Sequence, residues 1–187
     1  MPAAARRPRR RGRLRRLPRL TLVLGGARSG KSRYAEQLIE AAGGKPVYIA
    51  TAEARDEEMR ERIAQHRARR GKGWTTVEAP LELAHAIGAL GPGGPALVDC
   101  LTLWLSNAML AKRDLARDCD ALIAALKQSA APVVAVSNEV GLGIVPDTAL
   151  GRAFRDAQGI LNQRVAQIGD RVVLMAAGLP LVLKGGK

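Results

Sequence analysis

The sequence has few cysteines, few aromatic residues and no long apolar run. Cys100 and Cys119 are the two cysteines among 187 residues, and one pair matches neither a disulfide framework nor the ligand spacing of a zinc site. No apolar run approaches the roughly 18 residues that a membrane span needs. The apolar stretch nearest the N-terminus, LTLVL at 20–24, is too short for a secretory signal. We therefore expect a cytoplasmic protein with no membrane span.

Positive charge is abundant, but much of it lies at one end of the chain. The net charge is +13, and residues 1–19 contain nine arginines, three prolines and no acidic residue. Such a segment cannot bury enough apolar surface to fold. We predict a disordered basic tail over 1–19 and one folded domain over 20–187. The tail holds none of the five aromatic residues, so it cannot stack on bases, and a nucleic-acid partner is not expected although charge alone could attract one.

Short apolar runs alternate with helical patterns along the rest of the chain. LTLVL is stopped by glycines, as a buried parallel strand would be, and the pattern of 32–42 favours a helix after it. Later apolar runs are PVYIAT, ALVD, PVVAVSNEV and RVVLMAAG. This alternation predicts an α/β fold with a mostly parallel sheet flanked by helices. A Gly-Leu-Pro interruption near the C-terminus predicts a final antiparallel hairpin.

The strongest chemical signal lies between the first strand and the first helix. GGARSGKS, at 25–32, matches the phosphate-loop pattern G-x-x-x-x-G-K-[ST]. Its glycines let successive backbone N–H groups point at phosphate oxygens, and the following helix adds a partial positive charge. Lys31 should reach the outer phosphates, and the Ser32 hydroxyl should bind Mg²⁺.

Two acidic residues at predicted strand ends are candidates for a second metal ligand. Asp99 ends the run ALVD, and we expect it to bind the metal, with capping of the next helix as the alternative. Glu139 follows another run and lies at the same predicted edge, where ligands bind in open α/β sheets. For Glu139 a structural role is an equal alternative.

One of the two histidines heads a run of cations. His66 precedes Arg67, Arg69, Arg70 and Lys72. A helical pattern puts His66 on one face with two apolar residues, which alone would favour a core histidine. The cations should attract phosphate and disfavour a further positive charge on the imidazole, so a nucleophile toward phosphorus becomes a serious alternative. His85 has no such neighbours and is interpreted as a helix-surface residue.

Six segments together resemble one enzyme family. They are GGARSGKSRYAE, VYIATAEARDEEMRERIAQHR, WTTVEAP, LVDCLTLWLSN, SNEVGLGIVPD and FRDAQGILNQRVA. In this order they are similar to the bifunctional adenosylcobinamide kinase and adenosylcobinamide-phosphate guanylyltransferase, and the similarity runs from Leu20 to Lys184. The resemblance implies a RecA-like P-loop NTPase fold, a homotrimer and two consecutive reactions. Adenosylcobinamide first takes a phosphate from ATP or GTP, and its phosphate then receives GMP from GTP through a histidine, with release of pyrophosphate.

The resemblance also implies site residues. The guanylylated histidine corresponds to His66, and Lys31 is expected to act in catalysis with it. Where some relatives have two adjacent histidines, this chain has Gln65 and His66. Metal binding corresponds to Ser32 and Asp99. The nucleotide contacts correspond to Gly25, Gly26, Ala27, Arg28, Ser29, Gly30, Lys31, Ser32, Ala50, Thr51, Ala52, Arg67, Ala68, Arg69, Arg70, Glu78 and Asp99.

Two alternative functions remain at this point. A monofunctional small-molecule kinase would use the phosphate loop and Asp99 but would need no nucleophilic histidine. A nucleic-acid-associated P-loop NTPase has only the basic tail in its favour. The sequence does not encode the choice between ATP and GTP in the kinase step, because the loop binds phosphates rather than bases.

Overall fold

A computed structural model of the protein describes residues 17–54 and 57–186. Most of the predicted basic tail, residues 1–16, lies outside the described residues, so the tail and its boundary stay predictions. Among the described helices, none is long and apolar enough to cross a membrane.

The described chain forms one seven-stranded sheet with helices packed on it. The elements are β1 Leu20–Gly25, α1 Lys31–Ala42, β2 Val47–Ala50, α2 Glu57–Arg70, a 3₁₀ turn Gly71–Gly73, β3 Thr75–Glu78, α3 Leu83–Gly88, β4 Ala96–Asp99, α4 Leu101–Leu110, α5 Leu115–Gln128, β5 Val133–Asn138, α6 Ala149–Ile168, β6 Arg171–Ala176 and β7 Leu179–Lys184. The strand order is β3-β2-β4-β5-β1-β6-β7. All neighbouring pairs are parallel except β6 and β7, which confirms the predicted α/β fold.

The core lies on both faces of the sheet. Leu22 and Leu24 of β1 belong to a cluster with residues of α3, α4, α5 and α6, whereas Val23 between them packs in a second cluster with Ala35 and Ile39 of α1. Successive side chains of a strand point to opposite faces, so a central strand covered on both sides must be apolar at every position. LTLVL meets that requirement, and every residue of β1 from Leu20 to Leu24 is buried.

The two edges of the sheet differ in how well the sequence predicts them. The hairpin of β6 and β7 is confirmed, and its two turn residues, Ala177 and Gly178, both have positive φ (50° and 80°), as a turn matching the twist of the strands requires. Strand β3 was not predicted. All four of its residues, TTVE, are exposed, so this edge strand lacks the apolar pattern that identifies a buried one.

The parallel strands bring their carboxyl ends to one edge of the sheet. Gly25, Ala50, Asp99 and Asn138 end β1, β2, β4 and β5, which are adjacent in the sheet in the order β2-β4-β5-β1. Helix α1 begins beside this edge, and side chains of α2 line a cavity that lies there. The edge therefore assembles the predicted site residues.

Candidate active site

The phosphate loop joins β1 to α1 as the sequence predicts. Gly30 has φ 93° at the N-terminus of α1, in a region that favours glycine. A Cβ on Gly25 would lie 2.9 Å from the backbone oxygen of Met175, a contact that no side-chain rotation relieves, so the start of the loop also requires glycine. Lys31 donates a hydrogen bond from Nζ to the carbonyl of Gly26 at 3.0 Å. The ammonium group thus lies over the loop, where it can meet a bound phosphate.

Asp99 lies opposite the start of α1 and is held by hydroxyl donors. Ser32 Oγ donates to Asp99 Oδ1 at 3.4 Å, and the Tyr48 hydroxyl donates to Oδ2 at 3.2 Å. Burial, with a further contribution from Asp99, raises the pKa of Tyr48 well above its usual value, so the phenol stays a proton donor. Asp99 does not cap the next helix, because the N-cap of α4 is Cys100, whose sulfur accepts from Leu103 N.

The donor set of Ser32 and Asp99 fits Mg²⁺. Both side chains offer oxygen atoms, which this ion prefers, and Mg²⁺ commonly binds one or two protein oxygens and completes its shell with water and substrate phosphates. Among the described residues no group of three or more His, Cys, Asp and Glu side chains could hold a metal ion. The remaining ligands of Mg²⁺ would come from water and the nucleotide phosphates.

His66 faces the phosphate loop from α2. Met59, Ile63 and His66, which share a helix face, all line the same cavity. The Nδ1 atom of His66 lies 3.4 Å from Asp99 Oδ2 and 3.9 Å from Glu36 Oε1. Two carboxylates therefore lie near this nitrogen, a surrounding that was not predicted. Glu36 is buried on the inner face of α1 with Ala35 and Ile39, and an acid on such an apolar helix face is the sequence signal that could have identified it.

The arginines after His66 point in different directions. The guanidinium carbon of Arg70 lies 3.3 Å from the centroid of the Tyr48 ring, and this side chain is buried. Arg67 makes an exposed ion pair with Glu78, with 3.8 Å between Nη2 and Oε1. The side chain of Arg69 lies outside the described part. Arg67, Arg70 and Glu78 all line the cavity, so the structure brings them to the site.

The cavity has a volume of about 1230 Å³ and contains most of the predicted contacts. Of those contacts, its lining includes Ala27, Arg28, Ser29, Gly30, Lys31, Ser32, Ala50, Ala52, Arg67, Arg70, Glu78 and Asp99. Gly25, Gly26, Thr51 and Ala68 are not part of the lining. Thr51 is buried, and its hydroxyl is hydrogen bonded to the backbone N–H and C=O of Cys100, each at 2.7 Å. Its side chain therefore fixes the turn after β4.

Glu139 and His85 are not part of the cavity lining, whereas Asn138, which was not predicted, is part of it. The Glu139 carboxylate accepts from Gly141 N at 3.2 Å and does not line the cavity, which favours its structural alternative. His85 is exposed on α3, as expected. Asn138, which precedes Glu139, lines the cavity, although no sequence pattern identified it.

Comparisons with known proteins give consistent matches over the described domain. Residues 21–183 match the family described as cobinamide kinase / cobinamide phosphate guanyltransferase. The chain is 48% identical over 167 residues to the bifunctional adenosylcobalamin biosynthesis protein CobP of Pseudomonas aeruginosa, covering 88% of this chain and 96% of that protein. It is 40% identical over 181 residues to CobU of Salmonella typhimurium, covering 88% and 99%. The flagellar accessory protein FlaH of Methanocaldococcus jannaschii shares the fold, with TM-score 0.56, 12% identity and coverage of 91% and 83%.

Proposed function

The chain belongs to the cobinamide kinase / cobinamide phosphate guanyltransferase family, and we propose that the cavity at the phosphate loop performs both reactions of this enzyme. The observation that carries the proposal is the link from the phosphate loop to His66 through Asp99. One oxygen of Asp99 lies 3.4 Å from Ser32 Oγ, and the other lies 3.4 Å from His66 Nδ1. The residues for phosphoryl transfer and the candidate nucleophile therefore meet at a single carboxylate.

In the kinase step, ATP or GTP places its outer phosphates in the phosphate loop. Backbone N–H groups and Lys31 bind the phosphate oxygens and stabilise the charge that develops during transfer. The hydroxyl of the aminopropanol arm of adenosylcobinamide attacks the γ-phosphorus. Ser32 and Asp99 would hold Mg²⁺, which supplies neutralisation of phosphate charge.

In the guanylyltransferase step, His66 acts as a covalent nucleophile. With Nδ1 directed toward the Asp99 and Glu36 carboxylates, a proton on Nδ1 is favoured and Nε2 keeps its lone pair. Nε2 forms a bond to the α-phosphorus of GTP while the bond to the bridging oxygen breaks, and pyrophosphate leaves. A phosphate oxygen of adenosylcobinamide phosphate then attacks that phosphorus and releases His66. The product is adenosylcobinamide-GDP.

We further propose a homotrimer as the working form, in the cytoplasm. Exposed apolar side chains support an assembly of several copies, and they occur in the segment after β5 and along β7, namely Leu142, Ile144, Val145, Leu179, Leu181 and Leu183. Free apolar surface of this kind commonly marks an interface between proteins. Sedimentation analysis should give three times the mass of one chain, and a monomer at micromolar concentration would contradict the assembly.

Two assays test the proposed function against its alternatives. With adenosylcobinamide, GTP and Mg²⁺, the products should be adenosylcobinamide-GDP and pyrophosphate, with adenosylcobinamide phosphate appearing first. Labelled GTP without an acceptor should leave label covalently bound to the protein. A monofunctional kinase would form the phosphate and retain no label, and a nucleic-acid-associated NTPase would form neither product.

A further inference from the structure

Asn138 ends β5, the strand that lies between the two strands of the phosphate site. On one side its sheet partner is Gly25, at the start of the phosphate loop. On the other side β5 pairs with β4, which ends at Asp99 opposite Val136. Asn138 thus extends beyond the level of Asp99, beside the loop, and it lines the cavity. Asn138 therefore lies near both the phosphate loop, which would bind phosphate oxygens, and Asp99, which would bind Mg²⁺.

The backbone of Asn138 is fixed by side chains from two helices. Thr102 Oγ1 of α4 accepts from Asn138 N at 2.7 Å, and Asn162 of α6 donates from Nδ2 to Asn138 O at 3.0 Å. Asn162 itself bonds Ser137 at 2.6 Å and Gln158 at 2.9 Å. All four of these supporting side chains are buried, and such a connected polar network holds its members in one geometry.

The amide of Asn138 is not used by this network. Among the described residues, no hydrogen-bond partner reaches its buried side-chain oxygen, whereas a buried polar atom in a folded protein nearly always has one. A rigidly held residue with an unsatisfied amide at a phosphate cavity is therefore arranged to meet a ligand.

We propose that Asn138 is a catalytic residue of phosphoryl transfer, which its amide assists by contacting the γ-phosphate and the attacking hydroxyl. An amide offers two N–H donors and an acceptor oxygen. The NH₂ group donates one N–H to a γ-phosphate oxygen and the other to the oxygen of the attacking hydroxyl, which it thereby orients. The hydroxyl oxygen bonds to the γ-phosphorus, the bond to the bridging oxygen breaks, and the hydroxyl proton passes to solvent. This role rests on the proposed placement of the kinase step at the phosphate loop.

The test compares the two reactions in Asn138→Ala. We expect kcat for phosphorylation of adenosylcobinamide to fall about 10²-fold, as when one preorganised donor is removed. The KM for nucleotide should change less than about threefold, because the loop supplies ground-state binding. Covalent labelling by GTP should keep its rate within about threefold, since it depends on the α-phosphorus. The main-chain bonds of residue 138 remain, so the melting temperature should change little.

Two further variants sharpen this test. Asn138→Asp keeps the size and an acceptor but places negative charge beside phosphate, so its kinase rate should fall at least as far as that of Asn138→Ala. Glu139→Gln is the matched control, because it alters the neighbouring side chain outside the cavity lining and should leave both reactions unchanged. Full kinase activity in Asn138→Ala or Asn138→Asp would overturn the proposal, as would equal losses of phosphorylation and labelling.

Failure of this inference can be separated from failure of the proposed function. If the phosphate loop is the kinase site but Asn138 takes no part, Lys31→Ala loses phosphorylation while Asn138→Ala retains it. If the loop is not the kinase site, both variants retain phosphorylation. Parallel kinase assays on the two purified variants therefore decide between these outcomes.

Discussion

The floor and the wall of the cavity are held in place by different means. The floor consists of residues 27–32 of the phosphate loop, Asp99 and Asn138, and the wall is the face of α2 with Met59, His66 and Arg70. The floor lies at the ends of central strands, next to strand residues that are fully buried, such as Val23, Val98 and Val136. Side-chain contacts hold the wall in place: the His66 imidazole lies near the Asp99 carboxylate, and the Arg70 guanidinium lies over the Tyr48 ring.

This difference explains how one cavity could serve two reactions. Phosphoryl transfer needs groups that are already in place, which a buried sheet edge provides. In the proposed guanylyl transfer the imidazole reaches the α-phosphorus rather than the γ-phosphorus, which calls for an adjustment of α2. No described side chain of α2 belongs to either apolar core cluster, so α2 depends on a few polar contacts, of which the exposed pair of Arg67 and Glu78 is individually weak. We therefore expect α2 to shift between the two reactions while the floor stays fixed.

The largest expected effect is the loss of guanylyl transfer when His66 is removed from the wall. His66→Ala should reduce guanylyl transfer by at least about 10³-fold, because the covalent route is lost. Phosphorylation of adenosylcobinamide should continue at a rate within about tenfold of the wild type, since it uses the loop and no histidine. Product analysis by chromatography checks both rates. Equal loss of both reactions in a folded protein would contradict the division.

Lys31→Ala should give the next largest effect, and it should affect both reactions. In the proposed mechanism Lys31 neutralises triphosphate charge that grows during transfer, so we expect each rate to fall by about 10²-fold or more. The half-buried Lys31 side chain should contribute little to folding, so the melting temperature should stay nearly constant. Steady-state rates and thermal unfolding on one preparation test this, and a variant with full phosphorylation would refute the phosphate-loop assignment.

Arg70→Met should have a smaller and more selective effect. The change keeps a long apolar side chain but removes the cation over the Tyr48 ring, a contact worth about 1–2 kcal/mol when desolvated. Labelling by GTP should slow about tenfold, and phosphorylation should slow less, because Arg70 belongs to the wall. Rapid-quench labelling measures the first rate. Tyr48→Phe is the control, since it keeps the ring and removes the hydroxyl that donates to Asp99.

Glu78→Gln should have the smallest effect on stability. Its ion pair with Arg67 spans 3.8 Å between exposed side chains, and such pairs contribute about 0–1 kcal/mol. Urea unfolding should therefore show almost no change. If Glu78 also binds nucleotide, the KM for GTP should rise several-fold at unchanged stability, and an unchanged KM would remove Glu78 from the site.

The sequence predicts the floor better than the wall for a physical reason. LTLVL followed by GGARSGKS identifies a buried strand, a glycine turn and a helix start, because each step is a local requirement of backbone conformation. Asp99 follows from the end of an apolar run. The contacts of His66 with Asp99 and Glu36 depend instead on how α2 lies against α1, a long-range arrangement that local pattern does not specify.

Asn138 and β3 are two further features that local sequence patterns do not predict. The role proposed for Asn138 depends on strand order, because the pairing of β5 with both β1 and β4 places Asn138 beside Gly25 and two residues beyond the level of Asp99. Strand β3 is short and exposed at the sheet edge, so its pairing with β2 leaves no apolar signature in the sequence.

Mapping the GTP adduct by mass spectrometry identifies the residue that carries GMP. The protein is treated with GTP and Mg²⁺ without acceptor, digested under alkaline conditions and sequenced by fragmentation. The account predicts one GMP on His66, lost in acid and stable in alkali as a phosphoramidate should be, and absent from His66→Ala. An adduct on another residue, an acid-resistant bond, or an undiminished adduct in His66→Ala would contradict it.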